Sequence, residues 1–282
     1  MEREFSFDAL IPAEMAQKAE SAGVAKANLS FWRMLGLAIL AGAFIALGAV
    51  FATTVTTGAG ALPFGVARLL GGLVFCLGLI LVIVAGAELF TGNNLIVMAW
   101  AGGRVSTGRL LRNWGIVYLG NFVGSFLTAV LVYFSGQFEF GSGAVGVNAL
   151  NIANAKLNVG FGQAIFLAIL YNALVCLAVW LCLSARTTTD KILAIIFPIT
   201  AFVAAGFEHS IANMYFVPIG LLIKEGAGEA FWVTAGTSAA VYGDLTWVNF
   251  LVVNLLPVTI GNIIGGAGLV GLVYWFVYLR EG

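Results

Sequence analysis

The sequence predicts an all-α integral membrane protein with six transmembrane helices, arranged as two inverted three-helix repeats. The first observation is compositional: the 282-residue chain is 61% hydrophobic and 9% charged, with a mean hydropathy of +1.02, far from a soluble domain. The second is a set of apolar runs long enough to cross a bilayer. The third is a short motif that interrupts two of these runs in the same way. We therefore expect a polytopic helical membrane protein.

The apolar runs predict the number of spans. Crossing a hydrocarbon core of ~30 Å takes about 20 helical residues. Three runs have about this length: 34–52, 114–134 and 161–183. The runs 69–101 and 192–223 are too long for one ordinary helix and too short for two spans, so each is predicted to be a half-helix, a loop and a second half-helix. A last span at 248–279, which carries Pro257, completes six spans, of which the second and fifth are broken.

Each broken run contains the motif G-x-E-x-x-x-x-N, at residues 86–93 and again at 206–213. A second match follows in the same order, because G-N-F-V-G at 120–124 in the third span corresponds to G-N-I-I-G at 261–265 in the sixth. Spans one to three thus repeat as spans four to six, and since three is odd, the two copies must be oppositely oriented. Inverted repeats with paired broken helices are typical of transporters, whose substrate path lies near the midplane between the repeats.

The chain is expected to form one six-span domain, residues 31–282, preceded by a separate cytoplasmic segment, residues 1–30. The first repeat covers about 31–135 and the second about 159–280. Within the leading segment, an amphipathic helix is predicted to start at Pro12. Its apolar edge would consist of Phe7, Leu10, Ile11 and Met15. Packing beneath the pore, gating it and docking a cytoplasmic partner are all open as its role.

Loop charges predict the orientation of the chain. Ten Lys and Arg residues fall on the side of the two termini and three on the other side. By the positive-inside rule both termini lie in the cytoplasm, and the loops 136–158 and 224–246 face outward. The first thirty residues are charged and contain no apolar segment of the signal-peptide type.

The two breaks hold the candidate functional groups. Glu88 and Glu208 are the only acidic residues inside apolar segments. A charge inside a bilayer costs at least ~2.5–3.5 kcal/mol, so an intramembrane carboxylate implies a function. We expect both carboxylates to accept hydrogen bonds from N–H groups freed at the breaks, and Asn93 and Asn213 to help build the loops. The second half-helices are predicted to start near these asparagines, where their N–H groups would attract a small anion.

His209 is the only histidine of the chain and lies in the second break. Because an imidazole exchanges its proton near neutral pH, we expect this side chain to line the pore, with the Thr91 hydroxyl of the opposing loop at the same site. The chain offers no cluster for a metal centre, and no cofactor is expected. Its formal net charge of +0 gives no reason to expect a nucleic-acid partner. The three cysteines are interpreted as packing residues: Cys76, Cys176 and Cys182.

Three segments of the chain resemble the formate/nitrite transporter family, and the resemblance runs essentially end to end. They read F-D-A-L-I-P-A-E-M-A at 7–16, E-L-F-T at 88–91 and F-E-H-S-I-A-N-M at 207–214. The first segment and the sixth span are most similar to the formate-channel branch. The family implies an aquaporin-like protomer with its own pore, assembled as a homopentamer in the bacterial inner membrane. It also implies transport of formate and related small monovalent anions, passive or proton-coupled, rather than an enzyme.

The resemblance further implies two apolar constrictions. Leu79, Leu89 and Phe90 would form the cytoplasmic one, and Phe75 and Phe202 the periplasmic one.

Between these constrictions, His209 and Thr91 would occupy a small chamber. Lys156 and Asn172 match family positions that attract or orient the anion. A cytoplasmic formate-producing enzyme is an implied partner of the N-terminal helix. The resulting hypothesis is that formate loses acidity in the apolar chamber and that His209 supports its protonation.

Other functions compete with this one. A classical aquaporin would carry Asn-Pro-Ala signatures, yet no Asn in the chain is followed by Pro. An intramembrane hydrolase would need a serine paired with His209, whereas Ser142 lies in an outer loop and nothing marks Ser210 as a nucleophile. A rocking secondary transporter stays open, as do nitrite and hydrosulfide as substrates.

Overall fold

The computed structural model describes residues 9–280, so Phe7 and the N-terminal end of the family-like opening segment lie outside the described residues. The described chain is helical throughout, without strands. Six of its helices are long and apolar enough to cross a membrane, which confirms the predicted number of spans. They are Phe31–Thr56, Phe64–Gly86, Thr107–Phe134, Phe161–Ser184, Thr188–Ala205 and Ala239–Tyr278.

The first half of the chain contains three of these spans and a short leading helix. Its helices are α1 Pro12–Ala27, α2 Phe31–Thr56, α3 Phe64–Ile80 with π-helical turns at Leu81–Gly86, α4 Phe90–Asn93, α5 Val97–Ala101 and α6 Thr107–Phe134. A 3₁₀ turn at Asn94–Ile96 joins α4 to α5.

The second half has the same order. Its helices are α7 Ala144–Leu157, α8 Phe161–Ser184, α9 Thr188–Ala205, α10 Ser210–Gly226, α11 Glu229–Ala235, α12 Trp247–Asn249, α13 Leu256–Ile263 and α14 Val273–Tyr278. The last three belong to one span, because π-helical turns at Phe250–Leu255 and Ile264–Leu272 connect them. The segment 136–158, which was predicted to be an outer loop, consists largely of helix α7.

Both predicted helix breaks are present. Gly86 and Gly206 adopt left-handed φ angles of +87° and +78°, which end the first half-helices because only glycine takes this conformation without strain. The second half-helices begin at Phe90 and Ser210, slightly earlier than predicted. Each loop is consequently only a few residues long, and its glutamate is buried in the protein.

The glycines of the repeated G-N-x-x-G motif have a packing role. Gly124 of α6 lies against the carbonyl of Ile39 in α2, and Gly265 lies against the carbonyl of Ile169 in α8. A methyl group at either position would overlap backbone atoms. Small residues allow helices in membranes to approach this closely. The motif therefore places the third and sixth spans directly against the first span of their own half.

Helix α1 starts at Pro12 as predicted and packs against the body of the protein. Its small residues Ala16 and Ala19 are buried, whereas Ile11, predicted to belong to the apolar edge, is 60% exposed because it precedes the helix. The Lys18 Nζ donates to the carbonyl of Leu183 at the end of α8 at 2.7 Å. A cation at the carbonyl end of a helix is stabilising, so this contact holds α1 in place.

Candidate functional site

The first loop is organised by a buried carboxylate. Lys26 of α1 forms an ion pair with Glu88, with 2.6 Å between Nζ and Oε1. The other carboxylate oxygen accepts the Asn93 Nδ2 at 2.7 Å. Asn93 also donates to the Asn113 Oδ1 of α6 at 3.0 Å, and the Asn113 amide donates to the carbonyl of Lys26 at 3.2 Å. The four residues form a closed hydrogen-bonded ring, which the main-chain carbonyl of Lys26 completes.

The second loop has the same ring. Lys156 of α7 lies 3.0 Å from Oε1 of Glu208, whose other oxygen accepts the Asn213 Nδ2 at 2.7 Å. Asn213 donates to the Asn254 Oδ1 at 2.8 Å, and the Asn254 amide donates to the carbonyl of Lys156 at 2.9 Å. These four contacts match those of the first ring, but Lys26 also donates to the Asn93 Oδ1 at 3.1 Å, whereas the Asn213 Oδ1 has no partner among the described residues.

A further asparagine closes each break. The Asn121 Oδ1 accepts the Phe90 N–H at 2.9 Å, and the Asn262 Oδ1 accepts the Ser210 N–H at 3.0 Å. Each amide nitrogen donates to the carbonyl of the adjacent glutamate, Glu88 at 2.9 Å and Glu208 at 3.0 Å. The prediction that the carboxylates accept the freed N–H groups was therefore wrong, because the asparagine amides take the first N–H of each second half-helix.

Three members of these rings were missed by the sequence analysis: Lys26, Asn113 and Asn254. A signal for the lysine was present, because A-K-x-N-x-x-F occurs at 25–31 and again at 155–161. In both copies the asparagine amide donates to the carbonyl four residues earlier, at 2.9 Å for Asn28 and 2.8 Å for Asn158. Helices α1 and α7 therefore occupy matching places in the two halves.

The carboxylates are well buried, since the side chains of Glu88 and Glu208 are 7% and 6% exposed. A buried ion pair gives little net stability, but removing one partner leaves an uncompensated charge that costs about 3–5 kcal/mol. The Lys156 ammonium also lies 5.4 Å from the centre of the Phe216 ring, a cation–π distance. The rings thus fix the loops and hold one cation near each break.

His209 lies at the second break and is 2% exposed. Neither of its ring nitrogens has a hydrogen-bond partner among the described residues, and the buried Thr91 hydroxyl has none either. Buried polar atoms are paired in the great majority of cases, so unpaired ones call for an explanation. An imidazole and a hydroxyl without protein partners are free to bind a small polar molecule.

A cavity of about 650 Å³ leads to His209 from the side of α7. Its polar lining includes Lys156, Glu208 and Arg68, and its apolar lining includes Phe75 and Phe202. The rings of these two phenylalanines contact edge to face, with centroids 5.8 Å apart. We name this cavity the outer vestibule, after the orientation predicted from the loop charges.

Arg68 of α3 is a half-buried cation of the outer vestibule that the sequence analysis did not single out. Its guanidinium donates to the carbonyls of Val203 and Ala204 at 2.8 and 3.0 Å, where α9 ends. A cation is favourable at the carbonyl end of a helix. Arg68 thus joins α3 to α9 beside the entrance to His209.

The three residues assigned to the cytoplasmic constriction are buried and do not line the outer vestibule. Leu79 and Leu89 are 2% and 3% exposed, and neither lines the outer vestibule. The Phe90 ring packs edge to face on Tyr118 of α6, with centroids 4.9 Å apart, and on Trp114. Their role as a constriction stays a prediction.

Asn172 of α8 is fully buried and its amide nitrogen faces three protein acceptors. These are the carbonyl of Thr91 at 3.3 Å, the Asn94 Oδ1 at 2.9 Å and the carbonyl of Asn262 at 2.7 Å. This geometry favours a role in positioning Thr91, and direct contact of Asn172 with the substrate stays a prediction.

The fold and the site define a multi-pass helical membrane protein with a buried polar centre, reached through a vestibule that carries charged and apolar side chains, as in channels and transporters. The chain matches the Formate/nitrite transporter family over residues 13–276 and belongs to it. The family consists of transport proteins, so the expectation of a protein without enzymatic activity is confirmed.

Two curated relatives are formate channels. The chain is 49% identical over 281 residues to the formate channel FocA of Escherichia coli, covering 100% of this chain and 99% of that one. It is 44% identical over 264 residues to FocA of Haemophilus influenzae, covering 94% and 93% of the two chains.

Two solved structures share the fold. A pentameric formate channel with formate bound matches with a TM-score of 0.85 at 49% identity, covering 89% of this chain and 98% of that chain. An FNT family ion channel matches with a TM-score of 0.79 at 29% identity, covering 94% of this chain and 98% of that chain.

Proposed function

We propose that this protein is a transmembrane channel for formate and related small monovalent anions, with His209 supporting proton transfer to the substrate. The observation that carries the proposal is a buried imidazole without hydrogen-bond partners at the end of a cation-lined vestibule. The relatives named formate channels, and the solved neighbour with formate bound, support formate as the substrate.

The cations act first. Lys156 and Arg68 outnumber the Glu208 carboxylate in the lining of the outer vestibule, so its positive excess raises the local concentration of anions. Lys26, paired with Glu88 in the matching ring, is assigned the same action on the other side. Each ammonium keeps its carboxylate partner, so it attracts an anion without binding it too tightly to pass.

The apolar constrictions then select the neutral form. A bare anion that passes buried apolar side chains loses its hydration at high cost, whereas its conjugate acid loses far less. We assign the periplasmic constriction to Phe75 and Phe202, and the cytoplasmic one to Leu79, Leu89 and Phe90. In the chamber between them formate gains a proton with the support of His209, and the Thr91 hydroxyl hydrogen-bonds the substrate.

We further propose that the two halves are inverted copies and that the first copy begins at α1 rather than at residue 31. The matching rings of Lys26 and Lys156 support this.

The assembly is assigned as a homopentamer by likeness to the solved pentameric channel. We assign the protein to a bacterial inner membrane, with both termini in the cytoplasm. There α1 can contact a formate-producing enzyme.

The test is a flux assay in proteoliposomes loaded with formate, nitrite or hydrosulfide, over a range of pH. Formate efflux from the parent protein should increase as the pH falls, because protonation precedes passage. His209→Asn should lose this pH dependence, whereas Thr91→Val should slow efflux and keep it. Unchanged rate and pH dependence in His209→Ala would eliminate the proton-transfer role, and faster nitrite or hydrosulfide flux would reassign the substrate.

A further inference from the structure

The imidazole of His209 packs against two aromatic rings and has no hydrogen-bond partner among the described residues. A buried functional imidazole is usually oriented by a carboxylate or carbonyl that accepts one of its N–H groups. Here both ring nitrogens lack a partner among the described residues. Two aromatic side chains pack on the imidazole in place of a hydrogen bond.

The first of these side chains is Tyr171 of α8, whose ring stacks on the imidazole with centroids 4.2 Å apart and planes inclined by 21°. Phe202 meets the imidazole edge to face at 6.4 Å. Tyr171 and Phe202 also contact each other edge to face at 4.5 Å, so the three rings support one another. The tyrosine is only 1% exposed and fills a core position, which leaves its ring little freedom to move.

Stacking of this kind has two consequences for the imidazole. It leaves the ring edge, where both nitrogens lie, uncovered by the tyrosine. It also places the negative face of an aromatic ring within ~6 Å of any charge that the imidazole acquires, which is the geometry of a cation–π interaction.

We propose that Tyr171 is the positioning residue of His209, and that its ring face stabilises the protonated imidazole while both nitrogens stay available to the substrate. The inference rests on the proposed function, because it concerns the same proton transfer. It adds that aromatic packing, in place of the usual hydrogen bond, orients the imidazole ring.

Other charged and titratable groups around His209 act on the same proton. On α7 the Lys156 ammonium opposes a charge on the imidazole, and in the loop Glu208 favours one, although the two are paired with each other. On α3 Arg68 lines the same vestibule. Cys176 of α8 donates to the carbonyl of Thr91 at 3.4 Å. All of them are unchanged when the tyrosine ring alone is replaced.

The chain offers a direct readout because His209 is its only histidine. The protein is labelled with ¹⁵N-histidine, purified without a polyhistidine tag and reconstituted in liposomes. Its NMR spectrum then contains the signals of a single imidazole ring. Its ¹⁵N shifts report protonation, and its ring protons report the stacked ring through an upfield ring-current shift. Tyr171→Phe keeps the ring, whereas Tyr171→Leu and Tyr171→Met replace it with smaller side chains that are not aromatic.

We expect Tyr171→Phe to retain the upfield shift and the titration midpoint of the parent. Tyr171→Leu and Tyr171→Met should lose the upfield shift, and their midpoint should move about 0.5–1 pH unit towards acid, the loss of one cation–π contact. The pH profile of formate efflux should move in the same direction. The oligomer peak in size-exclusion chromatography identifies any variant that fails to fold.

Two results would overturn the inference. One is an unchanged imidazole signal in the ring-deleting variants, and the other is an equal change in Tyr171→Phe, which would assign the effect to the hydroxyl. Failure of the proposed function is distinguishable, because it would appear as pH-independent efflux in the parent or as pH dependence that survives His209→Asn.

Discussion

Lys26 contacts Glu88 as Lys156 contacts Glu208, with Nζ 2.6 Å and 3.0 Å from the respective carboxylate oxygens. The first lysine precedes the first membrane span and the second lies between the third and fourth. Each approaches its carboxylate from a short helix packed beside a broken one. The two cations near the breaks are therefore products of the same local fold.

Removing the cation of the second ring should destabilise the protein. Lys156→Met leaves the Glu208 carboxylate buried beside Asn213 without a counter-charge, which costs up to about 3–5 kcal/mol. The double variant Lys156→Met/Glu208→Gln should recover most of this stability and still take up formate slowly from the outer side. Thermal inactivation in detergent and uptake at low salt measure the two effects. Lys224→Met is the control, because Lys224 donates only to the Leu245 carbonyl. Equal stability of single and double variants would argue against a buried pair.

Replacing Asn262, the asparagine that closes the second break, should lower the stability of the protein strongly. Asn262→Ala deprives the Ser210 N–H and the Glu208 carbonyl of partners, and each buried orphan costs about 1–3 kcal/mol. We expect a lower inactivation temperature and a leak of anions through the disordered break. Asn249→Ala is the matched control, since its amide only caps an exposed carbonyl of Asp244. Comparable behaviour of the two variants would contradict the role in closing the break.

Close helix packing should make one glycine of α6 irreplaceable and another dispensable. In Gly124→Ala the new methyl group overlaps the Ile39 carbonyl, so α2 and α6 must separate. In Gly115→Ala the methyl group meets no atom within 4 Å, and the helix gains up to about 1 kcal/mol. Yield of folded oligomer and inactivation temperature should fall for the first and hold or rise for the second. A tolerated Gly124→Ala would refute the close approach.

Widening the outer aromatic pair should relax selection by size. Phe75→Leu removes the edge-to-face contact with Phe202 and opens the end of the vestibule next to His209. Acetate and lactate efflux should increase relative to formate, by several-fold. Phe166→Leu on α8 is the control, because that side chain is 70% exposed on the outside of the protomer. An unchanged acetate-to-formate ratio would remove Phe75 from the constriction.

Much of the fold followed from local patterns. Apolar length predicted the six spans, the repeated glycines predicted both breaks, and the proline predicted the start of α1. The proposed extension of the repeat to α1 rests on the lysine–asparagine echo at 25–31 and 155–161, which begins in short helices without a strong hydropathy signal.

By itself the sequence determined the class of the protein, its spans and the residues that stand at the breaks, since bilayer thickness and backbone hydrogen bonding leave few alternatives to a chain of this composition. Only the tertiary structure decided the partners of those residues. Lys26 reaches Glu88, Asn262 reaches Ser210 and Tyr171 covers His209 across distances of 38 to 62 residues in the chain. Such contacts depend on how helices cross, which no local pattern encodes.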